Sequence, residues 1–183
     1  MCKKLIFLIS FVSVLGIVGI AGAAPVSAPW ANQDVGAPQM AGSADYNPAD
    51  RSVAITGDGH DIWDNSDDFH YVYRQWSGDC EMIARVASIE GGTNQWRKAG
   101  VMFRQALTGA SKHVFMCITA GGGGGSSFQG RSDDGAGSWN TDAPATALGP
   151  YWVRLTRVGN TFTGYTSPDV TPLTWTQIDS GAG

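Results

Sequence analysis

Alternation of apolar and polar residues with a period of two dominates the chain from about residue 51 onward. Phe69, Tyr71 and Tyr73 fall on one face of a predicted strand, and His70 and Val72 fall on the other. Further strands are predicted at 51–56, 81–89, 99–106, 113–120, 128–132, 151–158, 161–166 and 173–178. No stretch shows an amphipathic helical period of useful length. The pattern therefore predicts an all-β, two-sheet antiparallel sandwich of the jelly-roll kind.

Glycine-rich stretches separate the predicted strands. Gly159-Asn160 is a two-residue turn typical of a tight hairpin. The five consecutive glycines at 121–125 predict a mobile hairpin loop, because such a run is costly to order. Residues 133–149 are predicted to form a long loop that carries Trp139.

The N-terminus has the features of a secretory signal peptide. Lys3 and Lys4 precede an uncharged apolar run at 5–20, and Ala21-Gly22-Ala23 follows as a cleavage site. We expect residues 1–23 to form a signal helix that is removed, which places the protein outside the cell or on its surface. An uncleaved membrane anchor is the alternative, although the run is short for a spanning helix. Residues 24–50 are predicted to be an N-terminal segment with a first edge strand, and residues 51–183 the jelly-roll domain.

The charge of the mature chain narrows the choice of partners. Removal of residues 1–23 leaves 160 residues with ten basic and sixteen acidic side chains, a formal net charge of −6. No block of Lys or Arg is present that could follow a phosphate backbone. We therefore expect no nucleic-acid partner, and no membrane association once the signal is cleaved.

Two cysteines, Cys80 and Cys117, remain after signal removal. Both lie in predicted strands, in a compartment where disulfides form. They can form a disulfide only if their strands are neighbours or face each other. The sequence leaves open a disulfide or two buried thiols.

Several short motifs occur together in one order along the chain. They are Asp61-Ile62-Trp63 with Asp67 and Phe69-His70, Ser77-Gly78-Asp79 before Ala84-Arg85-Val86, Lys98-Ala99-Gly100-Val101-Met102 with Arg104, Tyr151-Trp152-Val153-Arg154-Leu155, Gly159-Asn160-Thr161-Phe162-Thr163-Gly164-Tyr165, and Thr174-Trp175. In this order they resemble the secreted bacterial modules of the concanavalin A-like lectin/glucanase superfamily, in the regulation-of-enolase-like branch. The resemblance implies a two-sheet jelly roll that serves as an accessory module, often beside carbohydrate-active domains.

The chain ends at Gly183, where modules of this kind usually continue through further strands. We therefore expect the domain to lack its last strands and to leave an exposed sheet edge. Such an edge invites pairing with another protein chain.

The resemblance also requires a test for glycoside hydrolysis, which needs two suitably spaced carboxylates. Asp79 and Glu81 share one face of a predicted strand, but Ile83 and Arg85 follow them on that face and no third acid does. We expect a non-catalytic domain, with a glycoside hydrolase as the remote alternative.

A cluster of aspartates at 58–68 raises the question of a metal site. Carboxylate oxygens suit calcium, and Asp61 and Asp67 are the candidate ligands of a structural calcium ion. The alternative is that these aspartates bond to backbone amides in turns. No other cofactor is expected.

Exposed tryptophans are candidates for stacking on sugar rings. Trp76 lies at a strand end, and Trp139 lies in a loop with Asp133, Asp134 and Asn140, so these five residues form the predicted glycan-binding set. The alternative for Trp139 is a ring packed onto the sheet. Four other tryptophans are assigned to the interior: Trp152 and Trp175 to the core, and Trp63 and Trp96 to positions beneath loops.

The sequence therefore predicts a secreted accessory module that binds carbohydrate or mediates cell-surface adhesion. The alternative is a structural or protein-interaction β-sandwich completed by another chain.

Overall fold

The computed structural model describes residues 24–146 and 148–182, the last three of these by backbone alone. The predicted signal helix at 1–23 lies outside the described residues. The described residues form antiparallel β-strands and one 3-10 turn at Gly122–Gly124, with no α-helix among them, so the all-β prediction is confirmed. The strands are β1 (Ala24–Pro25), β2 (Ala31–Val35), β3 (Ser43–Asn47), β4 (Ser52–Thr56), β5 (Ile62–Trp63), β6 (Ser66–Asp67), β7 (Phe69–Tyr73), β8 (Cys80–Val86), β9 (Lys98–Arg104), β10 (His113–Thr119), β11 (Gly125–Arg131), β12 (Trp139–Pro144), β13 (Tyr151–Val158), β14 (Thr161–Pro168) and β15 (Thr176–Ala182).

Two four-stranded sheets face each other. The central sheet has the order β12-β11-β10-β9, and the C-terminal sheet has the order β15-β14-β13-β8. Alternate residues of each strand point into the space between the two sheets, as the period of two requires. The buried side chains there are those of Met82, Ala84, Val86, Ile89, Ala99, Val101, Phe103, Val114, Met116, Ile118, Phe128, Val153, Leu155 and Phe162.

Three small sheets, β1-β3-β4, β2-β7 and β5-β6, form a further layer, which we call the N-terminal layer. Its side chains Val35, Ile55 and Tyr71 share a second apolar core with Met102 and Phe115 of the central sheet. The central strands β10 and β11 are consequently buried on both faces. Burial on both sides explains why β10 reads as an almost continuous apolar run rather than as an alternation.

Strand β12 is the main element that the sequence pattern missed, because residues 133–149 were predicted to be loop. Its six residues alternate between half-buried and exposed. It pairs with β11 at the edge of the central sheet. An edge strand that buries little apolar surface leaves only a weak hydrophobic pattern in the sequence.

The disulfide interpretation of Cys80 and Cys117 is wrong for this structure, since both residues are thiols. Cys80 begins β8 and packs against the core between the two large sheets. Cys117 lies on β10 and faces the N-terminal layer, where burial raises the pKa of its thiol to about 12. The two side chains therefore belong to different cores on opposite sides of the central sheet.

Strand β15 lies at one edge of the C-terminal sheet, and β8 lies at the other. The prediction that a protein partner pairs with an exposed sheet edge stays a prediction. Over residues 24–146 and 148–182, no helix has the length and apolar character needed to cross a membrane.

Candidate functional site

A groove of about 320 Å³ opens where the N-terminal layer meets the start of β9. Residues 57–62 and 68–70 line one side of it, and residues 92–94 and 96–98 line the other. The groove thus brings part of the aspartate cluster together with the loop at 91–97, for which the sequence predicts no function.

Trp96 is the principal aromatic side chain of this groove, and it is 39% exposed. Its indole packs against Gly122 so closely that a Cβ at Gly122 would lie 2.4 Å from Trp96 Cε3. No other residue type leaves room for the ring at this distance. The Trp96 ring thus packs against a loop, as predicted, but the loop does not cover it, and the residue remains accessible.

The glycine run forms a 3-10 turn at Gly122–Gly124 that is held by hydrogen bonds, and its predicted mobility stays a prediction. The Gly122 amide donates to the Gln95 carbonyl at 3.0 Å, and the Ala120 amide donates to the Arg97 carbonyl at 3.1 Å. The Thr119 hydroxyl donates to the carbonyl of Gly122. These bonds join the turn to the 91–97 loop, so that the position of Trp96 is fixed from both sides.

Most aspartates of the 58–68 cluster accept hydrogen bonds that shape the groove wall. Asp58 Oδ2 accepts from the amides of Gln39 and Met40, each at 3.1 Å, and Asp68 Oδ1 accepts from the Ala37 amide at 2.8 Å. Asp61 Oδ1 accepts from its neighbour's amide and, at 2.7 Å, from Lys98 Nζ. These contacts agree with the turn interpretation of the cluster.

Asp67 belongs to a different environment, a buried charge cluster with Arg104, Arg131 and His113. Its Oδ1 accepts from Arg131 Nη2 at 2.7 Å, and its Oδ2 accepts from Arg104 Nη1 at 3.0 Å. The side chains of all four residues are essentially inaccessible to water. One carboxylate therefore balances two guanidinium groups within the protein interior.

The remaining N–H groups of the two arginines bond to loop carbonyls. Arg131 reaches the carbonyls of Trp63, Asp64, Gly109, Ser111 and Ala136. Arg104 reaches those of Ala106 and Thr108. The cluster thereby connects three separate segments, at 63–64, 106–111 and 136, to one end of the central sheet. The first of these segments lies in the β5–β6 hairpin, which directly follows the groove-lining residues 57–62.

His113 makes the stability of this cluster dependent on pH. Burial lowers the pKa of His113 to about 4 from 6.5, so the ring is neutral at pH 7 despite its 3.5 Å distance from Asp67. The unfolded chain takes up this proton near pH 6.5 and the folded chain only near pH 4. The free energy of unfolding should therefore fall by about 3 kcal/mol as the pH drops through that window.

Urea unfolding of the wild type and of His113→Gln at pH 7.5 and pH 4.5 measures this contribution. The wild type should lose more stability than His113→Gln between the two pH values. His60→Gln, at an exposed position, should behave as the wild type does. Equal losses in wild type and His113→Gln would contradict a neutral buried His113.

The structure places the two candidate calcium ligands in separate surroundings. Asp61 pairs with Lys98, and Asp67 pairs with two arginines. Among residues 24–146 and 148–182, no group of three or more His, Cys, Asp or Glu side chains is arranged to hold a metal ion. The structural calcium stays a prediction without a ligand set in this structure.

The predicted glycan-binding set around Trp139 is not assembled. The Trp139 ring packs edge-on against Phe128, with centroids 5.3 Å apart, so the alternative of a ring packed onto the sheet is correct. Asn140 is its immediate neighbour on β12 and lies on the opposite face, where it bonds to Asp142.

The two aspartates of the predicted set lie in the loop before β12. Asp134 accepts a hydrogen bond from the Lys112 amide at 2.8 Å, and Asp133 is an exposed loop residue.

Trp76 is exposed as predicted, at 44%, but it does not line the groove. The guanidinium of Arg74 lies 4.4 Å from the centroid of its ring. The Arg74 side chain thus already occupies one face of this indole.

The assignment of Trp152 and Trp175 to the core is wrong. Val153 and Leu155 face the core, so Trp152 and Arg154 must point outward from β13. Trp152 donates its indole N–H to Asp169 at 2.9 Å. Arg154 lies over the ring of Trp175, 5.8 Å from its centroid.

The acid pair tested for hydrolysis lies away from the groove. Asp79 accepts from the Gly159 amide at 2.7 Å, and Glu81 forms an ion pair with Arg154. Both carboxylates thus hold neighbouring strands of the C-terminal sheet.

Comparison with protein-family models, curated proteins and solved structures gives no match. The resemblance to the concanavalin A-like superfamily therefore remains an expectation from the motifs.

Trp96 and Gly122 are the functional candidates that sequence reasoning missed. They are 26 positions apart in sequence, and no local pattern joins them. The one available signal was the glycine run itself, because a run of residues without side chains also permits a close approach by an aromatic ring.

Proposed function

We propose that the chain is a non-catalytic, secreted accessory module that binds carbohydrate in the groove beside Trp96. The observation that carries this proposal is the partly exposed indole, which is backed by Gly122 and held at the rim of a groove of about 320 Å³. A rigid aromatic face beside a few polar groups is the usual composition of a small-molecule site.

The groove supplies the groups that a sugar ring requires. The exposed part of the Trp96 ring can cover the apolar face of a pyranose. Asn94 and His60 are exposed polar side chains along the same groove and can exchange hydrogen bonds with hydroxyl groups. The carboxylates of Asp58 and Asp68 already accept backbone amides, which suits a binding role better than proton transfer.

A carbohydrate-binding groove is consistent with a secreted jelly-roll module of the concanavalin A-like kind. The signal-peptide pattern and the motif resemblance support this view, as does the packing of two antiparallel sheets around one core. The proposed location is therefore the cell surface or the extracellular space.

A protein-interaction role is the second candidate, and the outward face of the C-terminal sheet favours it. Ile83 is 42% exposed there, opposite Arg154 in the strand register, and the half-buried Trp152 lies on the same face of the sheet. Apolar side chains grouped on an exposed face are typical of association surfaces.

Glycan-array screening, followed by calorimetric titration of the best binder, tests the proposed function. Trp96→Ala should weaken binding about tenfold or more, since the loss of one stacked aromatic contact costs roughly 1.4 kcal/mol or more. Trp139→Ala serves as the control outside the groove and should leave the affinity unchanged, provided that its melting curve shows a folded protein. Absence of binding at millimolar glycan, or an unchanged affinity in Trp96→Ala, would contradict the proposal.

A further inference from the structure

We infer that the carbohydrate site extends from Trp96 across the glycine turn to Asp142 and Asn140, and that it takes an uncharged oligosaccharide rather than a single sugar. This inference rests on the proposed function and deepens it, because it adds a second subsite and a ligand class.

Adjacent glycines connect the two parts of the site. A Cβ at Gly122 would lie 2.4 Å from the Trp96 ring, and a Cβ at Gly123 would lie 2.5 Å from Asp142 Cγ. The indole and the carboxylate therefore contact neighbouring residues of one turn. A ligand long enough to pass over that turn meets both.

The turn between the two parts has no side chains of its own, and its Gly122 is buried against the Trp96 ring. Gly121 and Gly124 are exposed, and Gly123 is half-buried with a φ of 61°. A positive φ and the contact with Asp142 both exclude a larger residue at Gly123. The exposed glycines therefore present bare backbone to a chain of sugar rings that passes over the turn.

Asp142 and Asn140 form a preorganised polar pair. The Asn140 Nδ2 group donates to Asp142 Oδ1 at 2.8 Å, and both side chains are exposed on one face of the edge strand β12. After this bond, Asp142 Oδ2 can still accept a hydrogen bond from a hydroxyl group, and Asn140 keeps a second N–H and its carbonyl oxygen. Two neighbouring hydroxyls of one sugar match this combination of donors and acceptors.

The charges of the extended site favour an uncharged ligand. The site contains more acidic than basic side chains. The acidic ones are Asp58, Asp61, Asp68 and Asp142, and the basic ones are Arg97 and Lys98. Lys98 is already paired with Asp61, and Arg97 donates to the carbonyls of Asn94 and Gly91. The carboxylates would repel uronic acid or sulfate groups, whereas neutral hydroxyls can bond to them.

The test is calorimetric titration with laminari-, cello-, xylo-, manno- and chito-oligosaccharides of two to six units, and with oligogalacturonates of the same lengths. At least one neutral series should bind about tenfold more tightly at four units than at two. Asp142→Ala and Asn140→Ala should each remove most of that gain and leave the affinity for the two-unit probe unchanged. Asp133→Ala, an exposed acid outside the site, should have no effect.

The outcomes separate this inference from the proposed function. Weakened binding in Trp96→Ala, together with wild-type affinities in Asp142→Ala and Asn140→Ala, overturns the extension and leaves the groove as a sugar site. Equal affinities for two-unit and six-unit probes also overturn the extension. Tighter binding of the oligogalacturonates overturns the uncharged ligand class. Wild-type binding in Trp96→Ala overturns both proposals.

Discussion

Replacement of Asp67 by asparagine should lower the free energy of unfolding by about 3–5 kcal/mol, the cost expected when one partner of a buried ion pair is removed. Asparagine preserves the shape of the side chain, but it leaves the guanidinium groups of Arg104 and Arg131 in the interior without a counter-charge. The melting temperature, Tm, should fall by about 10 °C for a domain of this size.

Urea and thermal unfolding measure this effect, with Asp133→Asn as the matched control at an exposed loop position. The double variant Asp67→Asn/Arg104→Met should lose less stability than the sum of the two single variants, because it removes one of the uncompensated charges. A loss below about 1 kcal/mol in Asp67→Asn would show that the carboxylate does not balance the two arginines.

Replacement of Gly122 by alanine should weaken carbohydrate binding about as strongly as removal of the Trp96 ring, which is about tenfold or more. The new methyl group would lie within 2.8 Å of three ring atoms of Trp96. The backbone of the turn is held by hydrogen bonds, so the indole has to move and the stacking surface is lost.

Titration with the tightest-binding oligosaccharide measures the effect, and tryptophan fluorescence reports the new environment of the ring. Gly137→Ala is the matched control, since a Cβ at that position meets no atom within 4 Å. If Gly122→Ala retained the wild-type affinity while Trp96→Ala lost it, the glycine would have no part in positioning the platform.

The sequence pattern predicted the strands that bury a regular apolar face. Strands β7, β9, β10, β13 and β14 lie within a few residues of their predicted positions. Val153 and Leu155 illustrate the reason, because alternate residues of one strand face the same core. The same alternation places Trp152 on the outer surface, because it lies next to the inward-facing Val153 on β13, and this outweighs the general tendency of aromatic residues to be buried.

The candidate site could not be predicted because its contacts join distant segments. Asp67 is 37 positions from Arg104 and 64 from Arg131, so the aspartate cluster alone gave no sign that one member balances two arginines. Trp139 has polar neighbours in sequence, yet consecutive residues of β12 point to opposite faces. Only the pairing of β12 with β11 brings Asn140 and Asp142 to the side of the sheet where the glycine turn and Trp96 lie.

The most direct test of the groove as the binding site is a nuclear magnetic resonance titration of the ¹⁵N-labelled protein with its tightest-binding oligosaccharide. Each of the seven tryptophans should give one indole N–H signal. The proposal predicts a large shift for Trp96 and for the side-chain amide of Asn140, with Trp139 and Trp152 unchanged. Shifts at Trp152 and Trp175 with an unmoved Trp96 signal would place the ligand on the C-terminal sheet and contradict the proposal.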